Sequence, residues 1–464
     1  MAIIQNIKKT INYSRKNGYK EAFLAALERV TAKYGADYKY VEMSEVLLEA
    51  QKADKDISNI LFSIIVPAYE TQKSYMKSLI DSCIGQTYSK WELIIADGST
   101  TDSVEQVVKR YHDTRIRYIK LDNNGGIADN TNRAIEYASG DYCGLLDHDD
   151  LLTPDALYCV AKAIGKKRPI LVYTDEDKCD ESGKRFYDPH IKYEFNLDLL
   201  LTNNYICHFL VVETAALKHF QIRKEYEGSQ DYDLVLRIVS SLLLREREGQ
   251  LKKGEPRMEE RILHVQGVHY HWRCHPNSTA ENPQSKMYAY EAGKKALIDF
   301  TARMGWKSEV RHDKHLGFYR IEYRNQVLTH RPDLAAVGGY IVKRGKITSG
   351  IYQGQPLFYA GYMNRMDLYQ NVMELDIRNL AVNKPYQQIY ESVTGHPYES
   401  TLATLDRSSD MARNHMPPLP QWIRELERSR GGVDKIKRIN SELGRRLIQA
   451  GGRLLLDPKC VRKI

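Results

Sequence analysis

Between residues 60 and 150 the chain alternates continuous apolar runs with stretches whose apolar residues recur at helical spacing. F-S-I-I-V-P-A at 62–68 is the first run, stopped by Pro67. Runs of this kind, without polar alternation, suit strands buried on both faces. Helical spacing follows at 75–87. W-E-L-I-I-A at 91–96 is a second run, ending at D-G-S-T (97–100). The pattern then predicts a helix over 103–111, a strand over 115–121, a helix over 126–138 and a strand over 142–146. Strands alternating with helices predict an α/β fold with a mostly parallel sheet flanked by helices. In such sheets ligands bind beyond the carboxyl ends of the strands.

Three polar clusters fall at those ends: P-A-Y-E at 67–70, Asp97, and D-H-D-D at 147–150. The last puts Asp147, Asp149 and Asp150 within four positions. Alternate residues of an extended segment share a face, so Asp147 and Asp149 could bind one hard cation. The alternative is a solvated acidic turn ahead of a helix, for which T-P-D at 153–155 is a good start. The chain has neither a phosphate loop of the G-x-x-x-x-G-K-[ST] type nor a G-x-G-x-x-G after the first strand. A phosphate-bearing ligand would then be neutralised by Mg2+ or Mn2+ at the acidic cluster.

V-P-A-Y-E (66–70), A-D-G-S-T-T-D (96–102), N-N-G-G-I-A (123–128) with Asn132, and D-H-D-D (147–150) form an ordered series. It continues with Y-T-D-E-D-K (173–178), N-N-Y-I-C-H (203–208), E-G-S-Q-D-Y-D-L (227–234) and Y-H-W-R-C-H-P-N-S-T (270–279). The series resembles family 2 inverting glycosyltransferases, which have the GT-A fold. Within them it is most similar to the branch acting on bacterial surface polysaccharides, including rhamnosyltransferase-like members. The resemblance covers about residues 60–303. It implies that Pro67, Tyr69 and Glu70 line a pocket for the nucleotide base, that Asp97 holds base or ribose, and that Asn132 lies in the donor site. It also implies that Asp147 contacts ribose or metal and that Asp149 binds the metal bridging the diphosphate. Gly98 departs from the pattern, since many members carry a second Asp there.

Asp231 stands where the family has its catalytic base, a carboxylate that deprotonates an acceptor hydroxyl. The residue also opens a predicted helix over 232–244, so a plain helix cap is the alternative; a helix N-terminus would keep the carboxylate ionised. Asp233 is the backup base. Arg273 and Ser278 are candidates to hold the departing diphosphate. His275, or failing it His271, is the candidate for the protein's further metal ligand, against a surface loop with a packed arginine. Glu176 and Asp177 are expected near the donor or acceptor pocket, or in an exposed acidic turn. Asn203, Asn204 and His208 either shape the acceptor site or form a polar loop.

At 464 residues, two or three domains are expected: an N-terminal helical segment (1–58), the transferase domain (59–310) and a C-terminal region (311–464). The first is expected to form helices over about 16–34 and 41–53. In the last, 333–342 and 441–458 look like the later half of a second, degenerate transferase module, with Asn440 and Glu442 where an active copy would carry two Asp. Tyr outnumbers Phe 32 to 9, offering flat faces with polar tips for sugars. Seven scattered cysteines without a C-x-x-C point to reduced thiols and a cytoplasmic protein, with the inner face of the cell membrane as a further location. Net charge is +8, and Lys459, Arg462 and Lys463 add a basic tail. That charge suits an anionic lipid surface or a lipid-linked acceptor; no nucleic-acid-binding motif accompanies it. Assembly into a homo-oligomer stays open. The sequence thus points to a metal-dependent inverting transferase moving a sugar from a nucleotide-diphosphate donor to a surface-glycan precursor. A catalytically silent nucleotide-sugar or glycan-binding partner is the rival. A nucleotidyltransferase is disfavoured, because P-A-Y-E-T-Q-K at 67–73 is not a glycine- and basic-rich loop.

Overall fold

The computed structural model describes residues 38–165, 167–251, 254–275, 287–313, 315–323, 327–355, 368–402 and 417–464. The helix expected over 16–34 lies outside them. The chain divides into two compact units.

The first unit comprises Tyr38–Phe195 and Asn204–Met304. Helix α1 (Glu45–Ala53) starts at Ser44, whose hydroxyl accepts from Leu47 N. Strand β1 (Phe62–Ala68), helix α2 (Lys73–Ile84), β2 (Trp91–Asp97), α3 (Ser103–Val108), β3 (Ile116–Lys120), α4 (Ile127–Glu136) and β4 (Tyr142–Leu145) follow in the order the apolar pattern predicts. The chain continues through β5 (Leu151–Leu152), α5 (Ala156–Ile164), β6 (Leu171–Cys179), β7 (Phe186–His190) and β8 (Leu210–Glu213). It closes with α6 (Thr214–Phe220), α7 (Gln230–Arg247), β9 (Ile262–Arg273) and α8 (Met287–Arg303).

These strands form one sheet of order β3-β2-β1-β4-β8-β6-β9-β5, with β7 on β6. Phe62, Ile64 and Ile65 are all fully buried, as a central strand covered on both faces requires. The half from β3 to β4 is parallel. The other half is mixed, because β8 runs antiparallel to both β4 and β6. This reversal positions the site. Leu145 at the end of β4 faces Leu210 at the start of β8, which brings residue 208 beside residue 147. Strand β6 runs parallel to β9 with Glu176 opposite Tyr270 and Cys179 opposite Arg273. Four distant segments therefore meet at one rim.

The second unit includes Asn196–Asn203 and Gly305–Ile464. A hairpin of β10 (Ser308–His312) and β11 (Tyr319–Tyr323) precedes β12 (Leu334–Lys343), β13 (Lys346–Ile347), β14 (Gln370–Asn371) and β15 (Leu380–Val382). Helices α9 (Gln387–Thr394), α10 (Gln421–Arg428) and α11 (Gly432–Gln449) lead to β16 (Arg453–Lys463). Strands β12 and β16 pair in parallel so closely that a Cβ on Gly339 would sit 1.9 Å from Cys460 O. Fully buried Arg331 ties this unit together, bonding Asp198 at 2.7 Å and Asp333 at 2.7 Å. The basic tail is not free: it is the end of β16, and buried Arg462 donates to Thr401 O and Pro417 O. Asn440 and Glu442 lie midway along α11, not in a first turn. Asn440 Oδ1 accepts from Ile377 N at 3.0 Å, and Glu442 pairs with Arg445 on the surface.

Candidate active site

The carboxyl ends of β1 and β2 are bound to each other through their loops. Gly98 N donates to Ala68 O at 3.0 Å and Glu70 N to Ser99 Oγ at 2.7 Å. A Cβ at Gly98 would meet Asn124 Cα and Asn130 Nδ2, each at 3.0 Å, so the second Asp of the common pattern has little room here. Asp97 sits at this strand end as expected but is fully buried. Its Oδ1 accepts from Ser99 N at 2.9 Å and Ser99 Oγ at 2.5 Å, and its Oδ2 from Tyr118 OH at 2.7 Å. A carboxylate so occupied shapes the loop, and direct contact with a ligand requires one of these donors to let go. Glu70 is likewise turned back, accepting from Thr100 N, Thr100 Oγ1 and Thr101 Oγ1. Those bonds, led by the Thr100 hydroxyl, hold its carboxyl below the usual range. Tyr69 is 45% exposed and Pro67 partly so, leaving a flat aromatic face open at this rim.

Beyond β4 the acidic run divides its labour. Asp150 is buried, accepting from Tyr270 OH and from Arg273 N at 2.7 Å. Burial, then Asp149 and Asp147, push its carboxyl far up. Asp149 Oδ2 lies 2.8 Å from His275 Nε2. Asp147 is half exposed, and desolvation followed by the charges of Asp149 and Asp231 raises its carboxyl against the pull of His208. Arg273 is 1% exposed. Its Nε donates to Asp149 O at 2.5 Å and its Nη1 to Glu181 O at 2.7 Å. The guanidinium lies 4.7 Å from the Tyr75 ring, whose hydroxyl donates to Glu181 Oε1. Nη2 is buried without a hydrogen-bond partner, and no carboxylate among the described residues pairs with this cation. A buried, unneutralised guanidinium is costly and fits a site that receives an anion. The Asp149–His275 pair offers one oxygen and one nitrogen side by side: the carboxylate oxygen suits Mg2+ or Mn2+, whereas the imidazole nitrogen is a donor that softer divalent ions prefer.

Asp231 is the second residue of α7, and its Oδ2 accepts from Asn204 Nδ2 at 2.9 Å. It caps no backbone N–H; the position before the helix is Ser229. Glu176 collects His208 N at 2.6 Å, His208 Nδ1 at 3.0 Å and His190 Nδ1 at 3.1 Å. Burial alone would raise Glu176; Lys192, His190 and His208 overcome it and hold the carboxyl well below the usual range.

With the geometry in hand, the chain can be set beside known proteins. Residues 63–222 match the family model described as Glycosyl transferase family 2. That match and the mixed α/β sheet bear out the expected GT-A fold. The chain is 38% identical over 253 residues to an uncharacterized protein of Sinorhizobium fredii, covering 53% of this chain and 26% of that one. It is 29% identical over 268 residues to the O-antigen biosynthesis protein RfbC of Myxococcus xanthus, covering 57% and 20%. Against the putative colanic acid biosynthesis glycosyl transferase WcaA of Escherichia coli it is 29% identical over 222 residues, covering 45% and 74%. The chain thus spans about a quarter or less of the first two relatives. Asp231, Arg273 and His275 lie beyond residues 63–222; Asp231 comes from α7, and the pairing of β9 with β6 carries Arg273 to the rim.

Four expected site residues have other duties. Asn132 bonds both ways to the Ile222 backbone, at 2.9 Å and 2.7 Å, fastening α4 to the loop before α7. Asp233 is buried between Arg223 and Arg237, with Arg237 Nε at 2.8 Å, and is no reserve base. His271 and Asp177 bond each other at 2.5 Å in the interior, with Tyr38 OH on Asp177 and Tyr40 against the imidazole. His275 instead lies two residues past the end of β9, where the chain is free to carry it to Asp149. Ser278 lies outside the described residues. Tyr75 and Lys192 escaped sequence reasoning, since Tyr75 sits on α2 and Lys192 in the loop after β7, neither in a spacing that signals a site; Asp150 and Tyr270 lie within the quoted motifs, but their bond to each other depends on pairing between segments distant in the chain.

Proposed function

We propose that this chain is a divalent-cation-dependent inverting glycosyltransferase. It moves a sugar from a nucleotide-diphosphate donor to a hydroxyl of a bacterial surface-polysaccharide precursor. The observation that carries the reading is a single rim holding Asp231, the Asp149–His275 pair and the buried Arg273, which no carboxylate among the described residues neutralises. The polysaccharide roles in the names of RfbC and WcaA support the acceptor class. The motif resemblance makes dTDP-rhamnose the first donor to test, with UDP-sugars next.

In this mechanism Tyr69 and Pro67 receive the nucleotide base, and Asp147 faces the ribose. Arg273 donates from Nη2 to the diphosphate as charge grows on it. Mg2+ or Mn2+ on Asp149 and His275 would offset that same charge when bound. Asp231 accepts the proton of the acceptor hydroxyl as its oxygen attacks the anomeric carbon from the face opposite the departing diphosphate. Asn204 holds Asp231 in place for that transfer.

The test is nucleoside-diphosphate release from dTDP-rhamnose, UDP-glucose, UDP-galactose, UDP-GlcNAc and GDP-mannose, with Mn2+ or EDTA, beside Asp231→Asn. Metal-dependent release from one donor, lost in the variant, is the expected result. If neither release nor metal-dependent nucleotide binding occurs, the protein is a silent partner.

A further inference from the structure

His208 is held on three sides. Its backbone N and Nδ1 both bond Glu176 Oε2, and its ring stacks on Tyr270 at 5.0 Å between centroids and 17° between planes. Its carbonyl oxygen accepts from Lys192 Nζ, whose side chain is fully buried and lies 3.9 Å from Glu176 Oε1. Tyr270 in turn is locked by its bond to Asp150. Burying a lysine, a carboxylate and an imidazole together is costly unless geometry and bonding are good. All of that apparatus fixes one ring. One polar atom of the ring is left over: Nε2 makes no hydrogen bond among the described residues and approaches only Asp147 Oδ2, at 3.9 Å. The side chain is 25% exposed. Next to it in sequence, the Cys207 thiol lies against Asp231 and Asn204. Nε2 therefore borders Asp147, the carboxylate expected at the donor, which itself feels the charge of Asp231, the carboxylate expected at the acceptor.

We infer that His208 Nε2 binds a sugar hydroxyl at the reaction centre, that of the transferred sugar, with Glu176 and Lys192 as the positioning residues behind it. This inference rests on the reading of the cleft as a nucleotide-sugar site. The ligand class follows from the neighbours. A diphosphate is met by Arg273 and the Asp149–His275 pair, whereas His208 faces Asp147, whose charge repels phosphate. A hydroxyl both donates and accepts, so the contact forms whichever protonation state the imidazole holds. The Glu176 carboxylate beside it favours the charged ring and pushes His208 up to about 9, against the opposing effect of burial.

The experiment compares wild type with His208→Phe, which keeps a ring to stack on Tyr270, and His208→Gln, which keeps a hydrogen-bonding end. Glu176→Gln tests the positioning role. Affinities for dTDP and UDP are measured with Mn2+, then those for dTDP-rhamnose and UDP-GlcNAc, then kcat and KM with and without acceptor. We expect His208→Phe to bind the free diphosphates as wild type does and to lose about tenfold or more in kcat/KM, the scale of one hydrogen bond. His208→Gln should recover part of it, and Glu176→Gln should fall between. A loss already present in donor hydrolysis places the hydroxyl on the transferred sugar. A loss seen only with acceptor keeps the hydroxyl contact and moves it to the acceptor glycan. Wild-type kcat/KM in both assays, for a variant that still binds diphosphate, overturns the inference. Should His208→Phe fail to fold, His208→Asn against His208→Gln decides it, because the shorter amide cannot reach the hydroxyl. Absence of both release and metal-dependent nucleotide binding in the wild-type protein would instead sink the transferase reading itself.

Discussion

Replacing Arg273 with Met should cost function far more than stability. Methionine has similar reach and no charge. The substitution removes bonds to Asp149 O and Glu181 O, at 2.5 Å and 2.7 Å. Hydrogen bonds from a charged donor contribute about 1.5–3 kcal/mol each, so the gross loss is about 3–6 kcal/mol. Stacking on Tyr75 adds at most ~2 kcal/mol, and a thioether against the ring retains part of that. Against this stands relief from burying a cation whose Nη2 has no partner and which pairs with no carboxylate among the described residues, a penalty of several kcal/mol. The two sides nearly cancel, leaving a net change within about 2 kcal/mol. The activity has no such compensation. Loss of a donor aimed at developing negative charge typically costs ~10²–10³ in kcat. Thermal unfolding, diphosphate titration and nucleoside-diphosphate release, run on the same preparations, read all three quantities. Diphosphate affinity and kcat within about threefold of wild type would make Arg273 an internal brace and refute the anion-site argument.

Asp231→Asn should lower kcat by ~10²–10⁴, the usual worth of a general base, while diphosphate affinity measured by titration stays unchanged. Asp233→Asn should behave oppositely: with Arg223 and Arg237 left facing an amide, denaturant melts should show a loss of about 3–5 kcal/mol, at near-normal turnover per folded molecule. Asp149→Ala should abolish Mn2+ binding by calorimetry and EDTA sensitivity of donor turnover; unchanged Mn2+ affinity would remove it from the metal site. His208 also makes stability pH-dependent. Its folded value, raised from 6.5 to about 9, contributes stability fully present below pH 6.5 and lost as pH rises through 9. The span corresponds to about 3 kcal/mol at most. Urea melts across that window should fall more steeply for wild type than for His208→Gln, and parallel curves would refute the assignment.

Much of the first unit was legible from its apolar pattern. Runs such as 62–68 and 91–96 have few alternatives to buried strands, and the polar residues ending them could only fall on one rim of a parallel sheet. Legibility failed where contact depended on side-chain direction or on antiparallel reversal. Asp231 and Asp233 look interchangeable in S-Q-D-Y-D. One step of α7 sends the first to Asn204 and buries the second between two arginines. His271 and His275 belong to one short motif, yet β9 holds the first in the interior on Asp177 and ends at Arg273, which leaves the second to meet Asp149. Asn132 sits in a donor-site motif and spends both ends of its amide on the Ile222 backbone.

The amino-acid sequence by itself determined the order of strands and helices, the acidic rim and the chemical types gathered there. These depend on apolar periodicity and local composition, which are properties of short segments. Only the tertiary structure decided which carboxylates face a ligand, which are spent on internal bonds, and that His208 is clamped with one nitrogen open. Those outcomes turn on long-range register: β8 reversing beside β4, and β6 pairing with β9. The balance between desolvation and pairing that decides each charge exists only once the chain has closed around it.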